Sequence, residues 1–301
     1  MPHAVRLRVL GWVLLLAGAA TAGALPLAAP PAPGAEALKA RHAALAAPLA
    51  RNDFQRALFI ESFQSRDGLR GEVFAVLDHP FAAVVDALGT PSHWCDVLIL
   101  PFNTKYCSVS QGAGGPRLAL RIGHKAEQPV KDAYPLELDW RLAASGNDYF
   151  EARLAAASGP MGTRDYRIAV EAVPIDARRT FLHLSYAYAY GLTGRLAMEA
   201  YLATAGAGKA GFTVLGRDAQ GAPVYIDGMR GVVERNAMRY YLAIDAYIDS
   251  LGAPVPAQVE QRIQHWFTAT ERHPRQLREM DRPTYVALKR VEYARQQSPL
   301  K

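Results

Sequence analysis

From Arg117 to Tyr190 the chain alternates apolar and polar residues in one segment after another, and no other feature constrains the fold as tightly. Leu118, Leu120 and Ile122 alternate with Arg117, Ala119 and Arg121. Leu136, Leu138, Trp140 and Leu142 alternate with Glu137, Asp139 and Arg141. After the turn residues Ser145 to Asp148 come Phe150, Ala152 and Leu154, then a second turn at Gly159 to Gly162, then Tyr166, Ile168 and Val170. Leu182, Leu184, Tyr186, Tyr188 and Tyr190 complete the series. A period of two sends successive side chains to opposite faces, so each segment reads as a strand with one covered face. Turns at this spacing join such strands into an antiparallel meander.

A sheet of this kind cannot bury its inner face by itself. The covering element is read at Gly228 to Leu251, a long amphipathic helix. Its wheel gathers Val232, Val233, Asn236, Tyr240, Tyr241, Ile244, Tyr247, Ile248 and Leu251 on one side, and Glu234, Arg235, Arg239, Asp245 and Asp249 on the other. Ahead of the meander, Leu58 to Phe63 and Gly71 to Leu77 read as strands, and Pro80 opens a helix through Leu88. Further helices are expected at Gly194 to Thr204, Gln258 to Glu271 and Tyr285 to Gln296. The expected class is therefore α+β: a curved antiparallel sheet gripping a long C-terminal amphipathic helix, with extra C-terminal helices.

The N-terminus carries Arg6 and Arg8, an apolar run from Val9 to Ala22, and the small residues Ala22-Gly23-Ala24. These are the three parts of a secretory signal. The run is too short to span a bilayer, so no stable membrane anchor is expected after cleavage. Residues 1–24 are thus read as a signal peptide, 25–52 as a Pro- and Ala-rich leader, 53–253 as the main domain and 254–301 as a helical extension. The expected location is periplasmic or secreted. Two cysteines, Cys95 and Cys107, suit a disulfide in an exported chain.

Lys and Arg exceed Asp and Glu by only 34 to 28 and are scattered, which argues against nucleic-acid binding. The dispersed histidines show no metal-ligand spacing. Gly206-Ala207-Gly208-Lys209-Ala210-Gly211 matches a dinucleotide fingerprint in letters, but follows a helix instead of a strand and reads as a helix stop. No cofactor and no metal are expected.

Three stretches carry a resemblance to a known family. The first runs from Gly71-Glu72-Val73-Phe74-Ala75 to His79-Pro80-Phe81, with Trp94-Cys95-Asp96 and Lys105-Tyr106-Cys107. The second is Gly162-Thr163-Arg164-Asp165-Tyr166. The third joins Arg195-Leu196-Ala197-Met198 and Tyr201 to Thr204 with Glu234 to Tyr241. Together with the element order they resemble the START-like superfamily, which includes lipid-transfer domains and polyketide cyclases, and within it exported bacterial members. The resemblance implies a helix-grip fold and a cavity between sheet and helix.

Trp140, Tyr166, Tyr186, Tyr188 and Tyr190 on the covered face, with Asn236 and Tyr240 on the long helix, are the candidate ligand-binding residues. Tyrosines there either fill a core or line a pocket, with ring bodies for apolar contact and hydroxyls for orientation. Asn236 needs a polar partner on an apolar face. The expected function is periplasmic binding or transport of an apolar or amphipathic small molecule such as a lipid. Two alternatives stand beside it. One is a cyclase- or hydrolase-like enzyme in the same cavity, using a tyrosine, His183 or a buried carboxylate. The other is a protein-interaction scaffold with a filled core.

Overall fold

The computed structural model describes residues 34–204 and 206–300; the expected signal peptide at 1–24 lies outside them. Eight strands form one curved antiparallel sheet: β1 (Leu58–Gln64), β2 (Gly68–Leu77), β3 (Thr104–Gly112), β4 (Gly115–Ile122), β5 (Tyr134–Ser145), β6 (Phe150–Ser158), β7 (Thr163–Pro174) and β8 (Thr180–Tyr190). The order across the sheet is β1-β2-β8-β7-β6-β5-β4-β3, so the first hairpin closes onto the last strand of the meander. Between β2 and β3 lie two short helices, α3 (Phe81–Leu88) and α4 (Pro91–Leu98). The expected alternation holds: Leu136, Leu138, Leu154, Ile168, Leu182 and Leu184 are buried inward, while Glu137, Arg153 and Arg167 face solvent.

Outside this face, α1 (Ala35–Ala44) and α2 (Ala46–Ala50) lie on the back of the sheet. Their Leu38, Leu45 and Leu49 pack with Phe74, Val173 and Phe181. Residues 35–50, assigned to the leader in the sequence, thus cover apolar side chains of the domain.

After β8 come α5 (Leu192–Ala203), a hairpin of β9 (Val214–Arg217) and β10 (Pro223–Tyr225), and the long α6 (Gly228–Ser250). The hairpin is not legible in the sequence, because its side chains are largely exposed and show no alternation. Helices α7 (Val255–Glu271), α8 (Pro274–Leu277) and α9 (Arg282–Gln296) then fold back, placing Trp266, Phe267 and Tyr285 in the same apolar core as the sheet.

That return corrects the wheel reading of α6. Glu234, Arg235, Arg239 and Asp245, assigned to a solvated side, are buried. The helix packs on β1, β2 and β8 with one side and on α7 and α8 with another. Each buried charge therefore requires a partner. Glu234 accepts from the Ser62 hydroxyl at 2.6 Å, the Phe212 and Thr213 amides at 2.6 and 2.9 Å, and the Thr213 hydroxyl at 2.7 Å. Asp245 takes a two-pronged contact from Arg56 at 2.8 and 2.9 Å.

Cys95 of α4 and Cys107 of β3 form a disulfide, with Cα atoms 5.2 Å apart. No helix among the described residues is long and apolar enough to cross a membrane.

Candidate functional site

The candidate site is built on one row of the sheet. Register places Trp140 of β5 opposite Leu154, Leu154 opposite Ile168, Ile168 opposite Tyr186 and Tyr186 opposite Gly71 of β2. All point inward. Gly71 ends the row because α6 crosses there: a Cβ at this position would stand 2.9 Å from the Val233 carbonyl oxygen. The absent side chain lets the helix backbone touch the sheet.

The tyrosines continue this row toward α5. Tyr166 and Tyr188 stack with centroids 5.5 Å apart, and Tyr186 lies 5.6 Å from Tyr188. Tyr240 of α6 closes the group from above, 5.1 Å from Tyr186. Tyr188 donates to the Met198 sulfur of α5 at 3.7 Å, and the Tyr166 and Thr163 hydroxyls are 2.7 Å apart. Tyr190 lies beneath the start of α5, where Gly194 packs against its Cβ. Burial, and then neighbouring phenols, push the Tyr186 and Tyr188 hydroxyls well above the ordinary tyrosine value. Burial likewise raises Tyr166 and Tyr240, so all four remain neutral hydrogen-bond donors. Trp140 Nε1 and the Tyr190 hydroxyl are buried without a partner among the described residues. Since buried donors are ordinarily paired, two orphans in one aromatic layer mark it as unusual.

Asn236 is only half-buried, and its side-chain oxygen accepts a long 3.4 Å contact from Arg239. It therefore belongs to a charged cluster beside the tyrosines instead of sitting in an apolar face. The cluster centres on Glu279, in the loop between α8 and α9. Its Oε1 meets Arg239 Nη2 at 2.5 Å, Lys125 Nζ at 2.7 Å and Lys209 Nζ at 4.0 Å. Lys125 also reaches the Tyr201 hydroxyl of α5 at 3.3 Å. Arg235, one turn before Arg239, donates to the Ala210 carbonyl at 3.2 Å. Burial alone would raise the Glu279 carboxyl, but Arg239, Lys125 and Lys209 outweigh it and hold the group below its usual value. Tyr201 follows the same logic: burial raises it, and the charges on Lys125 and Arg235 bring it below the ordinary phenol range.

None of Lys125, Lys209, Arg235, Arg239 and Glu279 was singled out as a site residue from sequence. The spacing of Arg235 and Arg239 places both on one side of a helix, but that side reads as solvated until α7 is known to cover it.

His183, a candidate acid or base in the enzyme reading, lies on the opposite face of the sheet. It stacks on Phe74 at 4.3 Å and meets Glu171 at 2.9 Å. It cannot serve a cavity on the tyrosine side. The glycine run at 206–211 follows α5, and Gly211 packs against Gly231 of α6, where a Cβ would meet the Glu234 carboxylate at 2.6 Å. Its role is close packing against a helix. No group of metal-ligating side chains occurs among the described residues.

A separate cleft of about 780 Å³ opens at the edge of the sheet, beside β1. Phe54, Phe212 and His273 form its aromatic wall, with Arg51, Arg272 and Arg275 around them. Trp140, Tyr186, Tyr188 and Tyr190 are themselves buried, and none of the candidate ligand-binding residues lines this cleft.

No family model matches the chain, and no curated protein matches it. Among solved structures, norcoclaurine synthase from Thalictrum flavum aligns at 13% identity and TM-score 0.32, covering 48% of this chain and 77% of that one. An aromatase/cyclase from a Streptomyces species aligns at 12% identity and TM-score 0.32, covering 71% and 95%. A START superfamily protein from Mycobacterium smegmatis aligns at 11% identity and TM-score 0.29, covering 50% and 92%. At these values the alignments carry no argument about activity. The closing of the first hairpin onto the last meander strand, with a long helix laid over the inner face, makes this a helix-grip fold.

Proposed function

We propose that the protein binds an amphipathic small molecule between the tyrosine row and α6, in a compartment outside the cytoplasm. The observation that carries this reading is the inward-facing aromatic row, with Trp140 Nε1 at β5 and the Tyr190 hydroxyl at β8 both buried and unpartnered among the described residues. Binding there draws on apolar area removed from water, about 25 cal/mol per Å². The Tyr190 hydroxyl and Trp140 Nε1 supply directional contacts to a ligand polar atom. Helix α5 is the movable cover: Leu192 and Leu196 on it are exposed, and its buried contacts are few. Export is supported by the three-part N-terminus and by the Cys95–Cys107 bridge, which suits an oxidising compartment.

Fluorescence titration with a neutral apolar probe, N-phenylnaphthylamine, tests the site. Tyr186→Ala is expected to weaken probe binding at least tenfold, whereas Val214→Asp in the β1-edge cleft leaves it unchanged. The reverse pattern, or no probe binding by the wild type, overturns the proposal. The reverse pattern has its own structural basis, since the cleft beside β1 has apolar walls and a basic rim fit for an acidic peptide. That outcome would favour the scaffold reading.

A further inference from the structure

Four cations and one carboxylate meet where the tyrosine row ends. Lys125 comes from the loop after β4, Lys209 from the loop after α5, and Arg235 and Arg239 from α6. Glu279 is the carboxylate to which Lys125, Lys209 and Arg239 are drawn, and all three contacts fall on its Oε1. Arg235 has no carboxylate partner among the described residues and holds a carbonyl instead. Its Nη2 and the Nε of Arg239 are buried without any partner among them. Both side chains are at least nine-tenths covered: Arg235 is 1% exposed and Arg239 6%.

Burying guanidinium groups with unused donors is costly, and proteins tolerate it where another anion completes the set. Arg235 lies close enough to Tyr188 and Tyr201 for its charge to act on both hydroxyls. Arg239 stands in the same relation to Tyr201 and Tyr240. The surplus positive charge thus borders the aromatic layer directly. Glu279 stands on a short loop, not within a helix, so its side chain can leave without unpacking α8 or α9.

We infer that the ligand carries an anionic head, a carboxylate or a phosphate monoester, which displaces Glu279 and is held by Arg239, Arg235, Lys125 and Lys209. The inference rests on the binding site proposed above: the apolar body lies along the tyrosines and the head reaches the cations. Arginine donors suit either head, since both accept two parallel N–H bonds. Glu279 is then an internal counter-anion that keeps the empty site charge-balanced and competes with the ligand.

The test is displacement of N-phenylnaphthylamine by dodecanoate, dodecyl phosphate and neutral dodecanol, each below its micelle-forming concentration. The wild type, Glu279→Gln, Lys125→Gln and Arg239→Gln are compared, with circular dichroism and thermal melting as controls for folding. At least one of the two acids is expected to displace the probe tenfold more effectively than dodecanol, and the better acid identifies the head. Glu279→Gln should strengthen that acid threefold or more and leave dodecanol unchanged. Lys125→Gln, at a partly exposed position, should weaken it threefold or more, and Arg239→Gln further. Equal displacement by acids and dodecanol overturns the anionic head while leaving the binding site standing. Unchanged affinity in Glu279→Gln overturns the displacement of its carboxylate. Failure of the wild type to bind the probe at all instead removes the binding site on which the inference rests.

Discussion

Two charged clusters touch the loop at residues 123–129, one completed by Glu292 of α9 and the other by Glu279 of the α8–α9 loop, and they are built to different standards. In one, Lys105 of β3 donates to Phe102 and Ala126 carbonyls at 3.1 and 2.8 Å and to Glu292 at 2.9 Å. Lys289 of α9 donates to Pro101 and Thr104 carbonyls at 2.7 and 3.0 Å and to the other Glu292 oxygen at 2.7 Å. Each ammonium has three donors, and each finds three acceptors. In the other, Glu279 receives several cations on one oxygen, and Arg235 and Arg239 keep unused donors. A saturated cluster fixes α9 to β3. An unsaturated one is a cost to the fold that a ligand can relieve. The contrast separates buried charge that is fully paired from buried charge that still has donors to offer.

The most severe way to break the comparison is Glu292→Gln. It leaves two buried ammonium groups without a counter-charge, and a loss of about 3–5 kcal/mol in urea unfolding is expected. Burial already lowers Lys289 to about 8, so the variant should shed that proton more readily and regain stability at alkaline pH. A loss no greater than that of Glu279→Gln would show the two clusters to be equivalent.

A smaller effect is expected from opening the disulfide. Cys107 stands two residues beyond Lys105, so the bridge holds the strand that carries the saturated cluster. Replacing both cysteines by serine should cost about 3 kcal/mol through the freed unfolded chain. Probe affinity at the tyrosine row should not change. A loss of affinity comparable with that of Tyr186→Ala would mean that the two regions are mechanically linked.

The smallest effect concerns pH. His79, after β2, meets Asp249 near the end of α6 at 2.6 Å. That hydrogen bond raises His79 above its ordinary 6.5. Burial alone would raise Asp249, but the bond from His79 and the nearby charges hold it below 3.8. The unfolded chain binds fewer protons at His79 and more at Asp249 than the folded one. The pair is therefore fully stabilising between about pH 4 and 6.5 and weakens as pH rises through the folded value of His79. Both side chains are partly solvated, so the contribution is about 0.5–1 kcal/mol. The melting difference between the wild type and His79→Gln should shrink from pH 6 to pH 8.5. A constant difference would show that His79 acts by packing alone.

The sequence by itself determined the meander and put Trp140, Tyr186, Tyr188 and Tyr190 on the apolar side of their strands, because alternation sorts residues between two faces; that this side is the inward one was decided by the structure. It also specified α6 as a long helix, and it favoured the pairing of Cys95 with Cys107. Only the tertiary structure decided which charges are buried. Amphipathic contrast marks the solvent side of a helix while one layer covers it; here the loop at 210–213 covers Glu234 and Arg235, and α7 with the α8–α9 loop covers Arg239. Ion pairs that join Lys105 to Glu292 or Lys125 to Glu279 span more than a hundred residues, and no local period records them. Burial of α6 on two sides is what turns ordinary surface arginines into the unsaturated half of a site.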